Sequence, residues 1–235
     1  MMKGVKRMIA IMDYGMGNLR SVQKAFEYLG EQAVITDDPA AVAGASHLVL
    51  PGVGAFEEAM DRLRRSGLDR ALLDGAQAGK PVLGICLGMQ MLFDESDEFG
   101  LHAGLGLIPG RVEKIPGQDA AGAAQRVPNI GWCPLYPAGA DAEGTAGFAG
   151  APESFAGTAL APVAPGAECY FVHSFEGKPL DPADRLADTV YGGRRICAAA
   201  RRGSVLGTQF HPEKSGPVGL SILEEYLRLC AARAE

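Results

Sequence analysis

GICLGMQML, Gly84 to Leu92, sets one cysteine between two glycines, after the apolar run Pro81–Ile85 and before a second apolar segment. The run before Cys86 reads as a strand and the segment after it as a helix starting at about Leu87, so the two elements meet at the thiol. Gly-x-Cys-x-Gly is the spacing of a nucleophile elbow with cysteine in place of serine. Crowding explains the glycines: a strand that turns straight into a helix brings two backbones together, and the residues two before and two after the turn have no room for side chains. A thiol held there lies at a helix N-terminus, where the positive end of the dipole favours thiolate and the amide of Leu87 is aimed at a developing oxyanion. A core cysteine at a Gly-rich strand end would leave the same local pattern, so the elbow alone does not decide between the two readings.

Outward from this point, apolar runs of strand type occur at Met8–Met12, His47–Leu50, Val82–Ile85, Tyr170–His173, Ile196–Ala200 and Val205–Phe210, each bounded by Gly, Pro or Asp. Helical patterns lie between them. Leu19, Val22, Phe26 and Leu29 follow Asn18 as an N-cap, Phe56 to Leu73 breaks near Gly67, and Leu220, Leu223, Leu227 and Cys230 follow Pro217. Strand then helix, repeated, predicts an α/β fold with a mostly parallel central sheet covered by helices on both faces. No boundary separates two domains, so residues 1–235 are expected to form one. The segment 137–167 departs from the pattern: Ala, Gly and Pro dominate it without a period, and it is expected to be a surface insertion.

Composition removes several classes of function. With 235 residues and 47% hydrophobic content the chain has enough apolar surface for a sizeable core. Its formal charge of −6 comes without any Lys/Arg cluster, which excludes a nucleic-acid-binding stripe. No apolar stretch is long enough to span a membrane, and MMKGVKRMIAIMD reaches Asp13 too early for a secretory leader, so a cytoplasmic protein is expected. Five cysteines without CxxC spacing argue against a disulfide framework or a zinc knuckle. No His/Cys/Asp cluster has ligand spacing, so neither a metal nor a cofactor is expected.

A thiolate nucleophile needs a base, and the chain has four histidines. His211, in QFHPEKSG, follows an apolar run and has Glu213 two residues on, with Pro212 fixing the geometry between them. A carboxylate so placed holds the imidazole tautomer while the other ring nitrogen addresses the thiol. His173, in YFVHSF, also ends a strand and competes for the role. His47 opens a strand and His102 sits in a Gly-rich loop, positions that suit structural or solvated histidines. LPGVGAF, Leu50 to Phe56, follows another strand and presents successive amides with two glycines that permit unusual backbone angles, a natural oxyanion donor beside the nucleophile. Two such loops at the carboxyl ends of neighbouring parallel strands face one crevice.

LPGVGAF, GICLGMQ and QFHPEKSG, in this order and spacing, resemble the class I (triad) glutamine amidotransferases, whose flavodoxin-like fold agrees with the reading above. DYGMGNLRSV at Asp13–Val22, PNIGW at Pro128–Trp132 and YFVHSF at Tyr170–Phe175 are similar to the branch formed by glutaminase subunits of imidazole glycerol phosphate synthase. The match runs from about residue 8 to 230. The resemblance implies an enzyme that hydrolyses L-glutamine through a cysteinyl thioester and passes ammonia to a separate (β/α)8-barrel synthase subunit in histidine biosynthesis, the two forming a heterodimer. It further implies Cys86, His211 and Glu213 as the triad, Gly52, Val53 and Leu87 as oxyanion donors, and Gln90 and Glu98 as substrate ligands. His173 and Ser174 then line the site, and Asn18, Trp132, Tyr170 and Lys214 face the barrel. Two departures stand out. Cys133 replaces the asparagine that usually follows the tryptophan, and the segment 137–167 is longer than the family pattern. A paralogous glutaminase serving another acceptor, as in surface-sugar biosynthesis, would keep the triad and change the partner surface. A nucleotide-binding domain built on Gly15-Met16-Gly17 would lack the third glycine of a dinucleotide fingerprint and leave the triad unexplained.

Overall fold

A computed structural model describes residues 8–232. The first seven residues, on which the reading against a leader partly rests, lie outside the described range. Strands and helices alternate at first: β1 (Met8–Met12), α1 (Leu19–Tyr28), β2 (Gln32–Thr36), α2 (Pro39–Gly44), β3 (His47–Gly52), α3 (Phe56–Arg65), α4 (Leu68–Gln77), β4 (Val82–Cys86) and α5 (Leu87–Met91). A strand-rich half follows with β5 (Phe93–Ser96), β6 (His102–Ala103), β7 (Ile108–Lys114), β8 (Asn129–Pro134), β9 (Tyr136–Pro137), β10 (Glu168–His173) and β11 (Phe175–Pro179). The chain closes with β12 (Arg185–Tyr191), β13 (Arg194–Arg202), β14 (Val205–Thr208) and α6 (Gly216–Ala232).

The main sheet has eight strands in the order β2-β1-β3-β4-β14-β13-β12-β9. From β2 through β14 every pairing is parallel, and from β14 to β9 every pairing is antiparallel. The mostly parallel sheet is therefore present, with two corrections. The run Ile196–Ala200 lies in an antiparallel strand, because only a tight turn separates β13 from β14 and no crossover helix fits there. The run Tyr170–His173 is outside the main sheet and pairs with β8 in a separate two-stranded ribbon. A third, four-stranded sheet runs β11-β7-β5-β6.

Side-chain alternation along the strands sorts the core into two layers. Ile9, Ile11, Val49, Leu83 and Ile85 pack with Phe26 of α1 and with Ile222, Leu223 and Tyr226 of α6. Ala10, Met12, Leu48, Leu50 and Val82 pack on the other face with Val42 of α2, Phe56 and Met60 of α3, Leu72 of α4 and Met89 of α5. Each buried Val, Leu, Ile, Phe or Met among them contributes about 1.5–3 kcal/mol relative to exposure. Helices thus cover both faces, and the carboxyl ends of the parallel strands are left free at one edge. Asn18 occupies the N-cap position of α1, but its side chain accepts none of the first-turn amides.

The segment between β9 and β10 contains no strand or helix of its own. It is nevertheless tied to the core. Phe155, Leu160 and Val163 are buried against the α1/α6 layer. Arg195 donates to the carbonyls of Pro137 and Ala140, and the Arg185 guanidinium stacks 4.1 Å from the centre of the Phe148 ring. Both arginines pair with the buried Asp188, at 2.6 and 3.0 Å.

Candidate active site

The elbow forms where β4 runs into α5. Cys86 has φ 56° and ψ −112°, in the left-handed half of backbone space that a side chain adopts only under constraint. The constraint is the close crossing of three segments. A methyl group on Gly88 would overlap the Leu50 carbonyl oxygen, and one on Gly84 would lie 2.7 Å from the Gly88 carbonyl oxygen. Both glycines are therefore required by approach distance. One expectation needs revising: α5 is only five residues long before the chain turns into β5, so the helix dipole has little length to act through.

His211 supplies the base. The residue follows β14, and the turn Pro212–Lys214 brings Glu213 back so that His211 Nδ1 donates to Glu213 Oε1 at 2.9 Å. Both side chains are almost fully buried. With Nδ1 committed, Nε2 is the nitrogen left for the thiol; it is buried and engages no other hydrogen-bonding group. Burial by itself would lower the imidazole pKa, but hydrogen bonding and charge attraction from Cys86 and Glu213 outweigh it and raise the value to about 9.

His173 stands close by in a different state. Its Nδ1 lies 2.9 Å from the Phe175 carbonyl, which only accepts, so Nδ1 carries the proton. Its Nε2 lies 3.3 Å from Asn129 Nδ2, whose N–H it accepts. Asn129 is in turn held by the Cys133 thiol, 3.6 Å from Oδ1. Burial, with His211 adding repulsion, lowers the His173 pKa to about 4 despite the Phe175 hydrogen bond. Neither ring nitrogen is left to take a proton from Cys86, so geometry favours His211 over the competing histidine.

Around the sulfur is a cavity of about 330 Å³ lined by Val53, Gly54, Cys86, Leu87, Gln90, Glu98, Pro128, Val172, His173, Ser174, Phe175 and His211. Most of the residues expected at the site therefore meet in one place. Gly52 pairs directly with Cys86 across β3 and β4, and Glu213 stands behind His211. The Leu87 amide opens α5 and so has no acceptor within the helix. Glu98 Oε2 accepts from the Phe56 amide at the start of α3, at 2.7 Å. Gln90 Nε2 donates to the Phe175 carbonyl and to Gln209 Oε1, at 3.0 and 2.9 Å. Three other cysteines are poor nucleophiles: burial pushes the Cys169 and Cys197 thiols up to about 12 and raises that of Cys133.

None of the four residues expected to face a partner lines this cavity, and Tyr170 and Lys214 adjoin His211. Trp132 is 53% exposed and meets Tyr170 edge-on, with ring centres 6.1 Å apart; Tyr170 in turn lies 6.4 Å from the His211 ring. Lys214 is exposed on the turn after His211, and α1, which Asn18 precedes, packs near that turn. Ile130 and Trp132 form the outer face of the β8–β10 ribbon, whereas Cys133 is buried on the inner face with Asn129. The missing asparagine is thus a change inside the site rather than on the exposed face.

Three residues were not singled out by sequence. Gln209 is fully buried with its Nε2 3.8 Å from Cys86 Sγ. Asn129 holds His173. Tyr14 donates its hydroxyl to the Pro51 carbonyl at 2.7 Å, at the root of the Gly52–Gly54 loop. A buried polar side chain inside the quoted QFHPEKSG and PNIGW motifs was the available signal for the first two. Among the described residues no group of His, Cys, Asp and Glu is placed to hold a metal ion, and no helix is long and apolar enough to cross a membrane.

The family model for "Glutamine amidotransferase class-I" matches residues 10–228. A chain from Syntrophotalea carbinolica named imidazole glycerol phosphate synthase subunit HisH is 48% identical over 93% of this chain and 98% of its own length. Subunit HisH 1 of Legionella pneumophila strain Lens is 43% identical over 94% and 99%, and subunit HisH of Geobacter metallireducens 47% identical over 93% and 96%. Among solved structures, a glutamine amidotransferase superposes with a TM-score of 0.68 at 19% identity, covering 95% of this chain and 98% of the other. PurLQS from Thermotoga maritima superposes with a TM-score of 0.63 at 19% identity, covering 95% and 99%. At that identity the superpositions speak for the fold alone.

Proposed function

The chain belongs to the class-I glutamine amidotransferases, and from that membership we propose that it is the glutaminase subunit of an imidazole glycerol phosphate synthase, releasing ammonia from L-glutamine for a separate synthase subunit. The observation that carries the chemistry is the pairing of a constrained Cys86 with a His211 whose Nδ1 is fixed by Glu213 and whose Nε2 is left for the thiol.

In this mechanism His211 Nε2 takes the thiol proton and the Cys86 sulfur attacks the δ-carboxamide carbon. The tetrahedral oxyanion is held by the Leu87 amide and by an amide of the Gly52–Val53 pair. His211 returns its proton to the leaving nitrogen, the C–N bond breaks, and ammonia departs from a glutamyl thioester. Water, deprotonated by His211, then attacks the thioester carbonyl; glutamate leaves and the thiol is restored. Glu98 and the free Oε1 of Gln90 suit the substrate's ammonium and N–H groups, because a buried polar site rejects ligands that leave it unpaired. No step calls for a metal, since the activated thiol is the nucleophile.

The β8–β10 ribbon supports the choice of partner surface. Ile130 and Trp132 expose apolar area beside Tyr170 and the catalytic turn, where a barrel subunit would receive ammonia. Ammonia is useful only if it reaches the acceptor without mixing with bulk water, so hydrolysis is expected to be slow until the partner closes the site. The glycines of LPGVGAF permit a peptide rotation that would complete the oxyanion site only in the assembled pair. Cys133, the departure that favoured a different acceptor, is buried rather than on the exposed face of the ribbon, which supports the synthase reading.

Reconstitution with the synthase subunit tests this. Glutamine hydrolysis should be slow for the isolated chain and rise strongly with the partner and its phosphorylated substrate. Cys86→Ala should abolish glutamine-dependent synthesis and leave synthesis from ammonium salts. Loss of both in a normally assembled pair would contradict the division of labour.

A further inference from the structure

We propose that Gln209 is a further residue of the catalytic site: one end of its side-chain amide donates to the Cys86 sulfur and the other fixes Gln90, so that the nucleophile meets a donor and the substrate meets an acceptor. The inference rests on the glutaminase reading and adds to it a group with a defined orientation.

The orientation follows from one atom that has no choice. The Phe175 carbonyl oxygen only accepts, so the Gln90 atom 3.0 Å from it is Nε2. The same Nε2 lies 2.9 Å from the Gln209 side chain, which must therefore present Oε1 to it. That leaves Gln209 Nε2 on the far end of the planar amide, 3.8 Å from Cys86 Sγ. A backbone carbonyl thus dictates, through two amides, that an N–H faces the sulfur. Gln209 is held for this purpose: it is fully buried, its backbone N–H donates to the Ala198 carbonyl at 2.8 Å, and it sits in the bend between β14 and His211, two residues before the base. Buried amides are kept where every donor and acceptor is used.

Two consequences follow. A donor at the sulfur stabilises the thiolate over the thiol. And because both N–H groups of Gln90 are spent, on Phe175 and on Gln209, Gln90 offers only Oε1 to the cavity and selects an N–H of the ligand. The other titratable groups around Cys86 are His211 with Glu213 behind it, His173 from β10, Tyr14 from the β1–α1 loop, and Glu98 across the cavity. None of these supplies a neutral N–H to the sulfur at all pH values as an amide does.

The test compares Gln209→Glu and Gln209→Met with wild type in the full chain. Glutamate at 209 keeps an acceptor for Gln90 but turns a carboxylate toward the sulfur, so the pH profile of Cys86 alkylation by iodoacetamide should move up by about one unit, with the KM for glutamine near wild type. Methionine frees Gln90, so KM measured with the synthase subunit should rise by about tenfold. A packing role alone would lower the melting temperature of both variants and leave the alkylation profile and the split between them unmoved. Wild type gives a second measurement that needs no variant to fold: the Gln209 side-chain amide resonances should shift through the Cys86 titration and stay fixed in Cys86→Ala. Coincident alkylation profiles for wild type and Gln209→Glu, or amide resonances indifferent to the titration, would overturn the proposal. Alkylation and resonance shifts do not require glutamine turnover, so they separate failure of this inference from failure of the glutaminase reading, which shows as a wild-type pair without glutamine hydrolysis.

Discussion

His211 and His173 line the same cavity as Cys86, both buried just at or beyond the end of a strand, and the protein drives them in opposite directions. Burial pushes each imidazole toward its neutral form. At the His211 corner a carboxylate and the thiol reverse that push and raise the pKa to about 9. At the His173 corner a carbonyl and an amide occupy both ring nitrogens without offering negative charge, and the pKa falls to about 4. Location in a site therefore does not make a histidine a base. What decides is whether Nδ1 faces a carboxylate and whether Nε2 is left open.

The largest effect should come from breaking the His211 side. Glu213→Ala removes the group that fixes the tautomer, and kcat for glutamine hydrolysis in the assembled pair should fall by about 10²–10⁴-fold with a smaller change in KM. A drop of less than tenfold would mean that Glu213 is only a structural partner. The next largest should come from making His173 resemble His211. Asn129→Asp replaces a donor at Nε2 with an acceptor, which His173 satisfies only by binding a second proton. The resulting imidazolium beside His211 should raise KM for glutamine by about tenfold and make His173 titrate near neutral pH in an NMR experiment. A His173 that stays neutral in this variant would show that Asn129 does not set its state.

That pair of contacts also marks where the sequence stopped being informative. Cys86 with its glycines, and His211 with Glu213, are each encoded within a few consecutive residues, where spacing alone carries geometry. The parallel strands β1, β3, β4 and β14 are legible for the same reason, since short apolar runs bounded by Gly, Pro or Asp leave few alternatives, whereas the edge strand β2, Gln32–Thr36, has too few apolar residues to stand out. Asn129 and His173 are 44 positions apart and meet only through the register of the β8–β10 ribbon, which no local pattern announces. The strand Phe93–Ser96 was hidden by a different cause: it continues the apolar segment that starts α5, and five residues of helix are too few to show a period. The 137–167 segment has no period because its order comes from elsewhere, from Arg185 and Arg195 fixed on Asp188 and reaching out to Phe148, Pro137 and Ala140.

A smaller effect separates the two histidines in stability. A raised pKa means that the folded chain holds the His211 proton more tightly, so its contribution is full below the unfolded value of about 6.5 and is lost as pH rises toward 9. The lowered value of His173 gives the opposite slope, with stability lost as pH falls from about 6.5 toward 4. Urea unfolding of wild type, His211→Gln and His173→Gln across this range should show differences on the order of 1–3 kcal/mol with opposite pH slopes. Parallel slopes would erase the contrast between the two corners.

The contrast is tested most directly by rapid-quench detection of the glutamyl thioester on Cys86, in the assembled pair, for His211→Ala and His173→Ala side by side. His211→Ala should form no detectable thioester at saturating glutamine, whereas His173→Ala should form it at a rate within about tenfold of wild type once glutamine is raised to offset weaker binding. Thioester formation that survives loss of His211 and disappears with His173 would contradict the assignment.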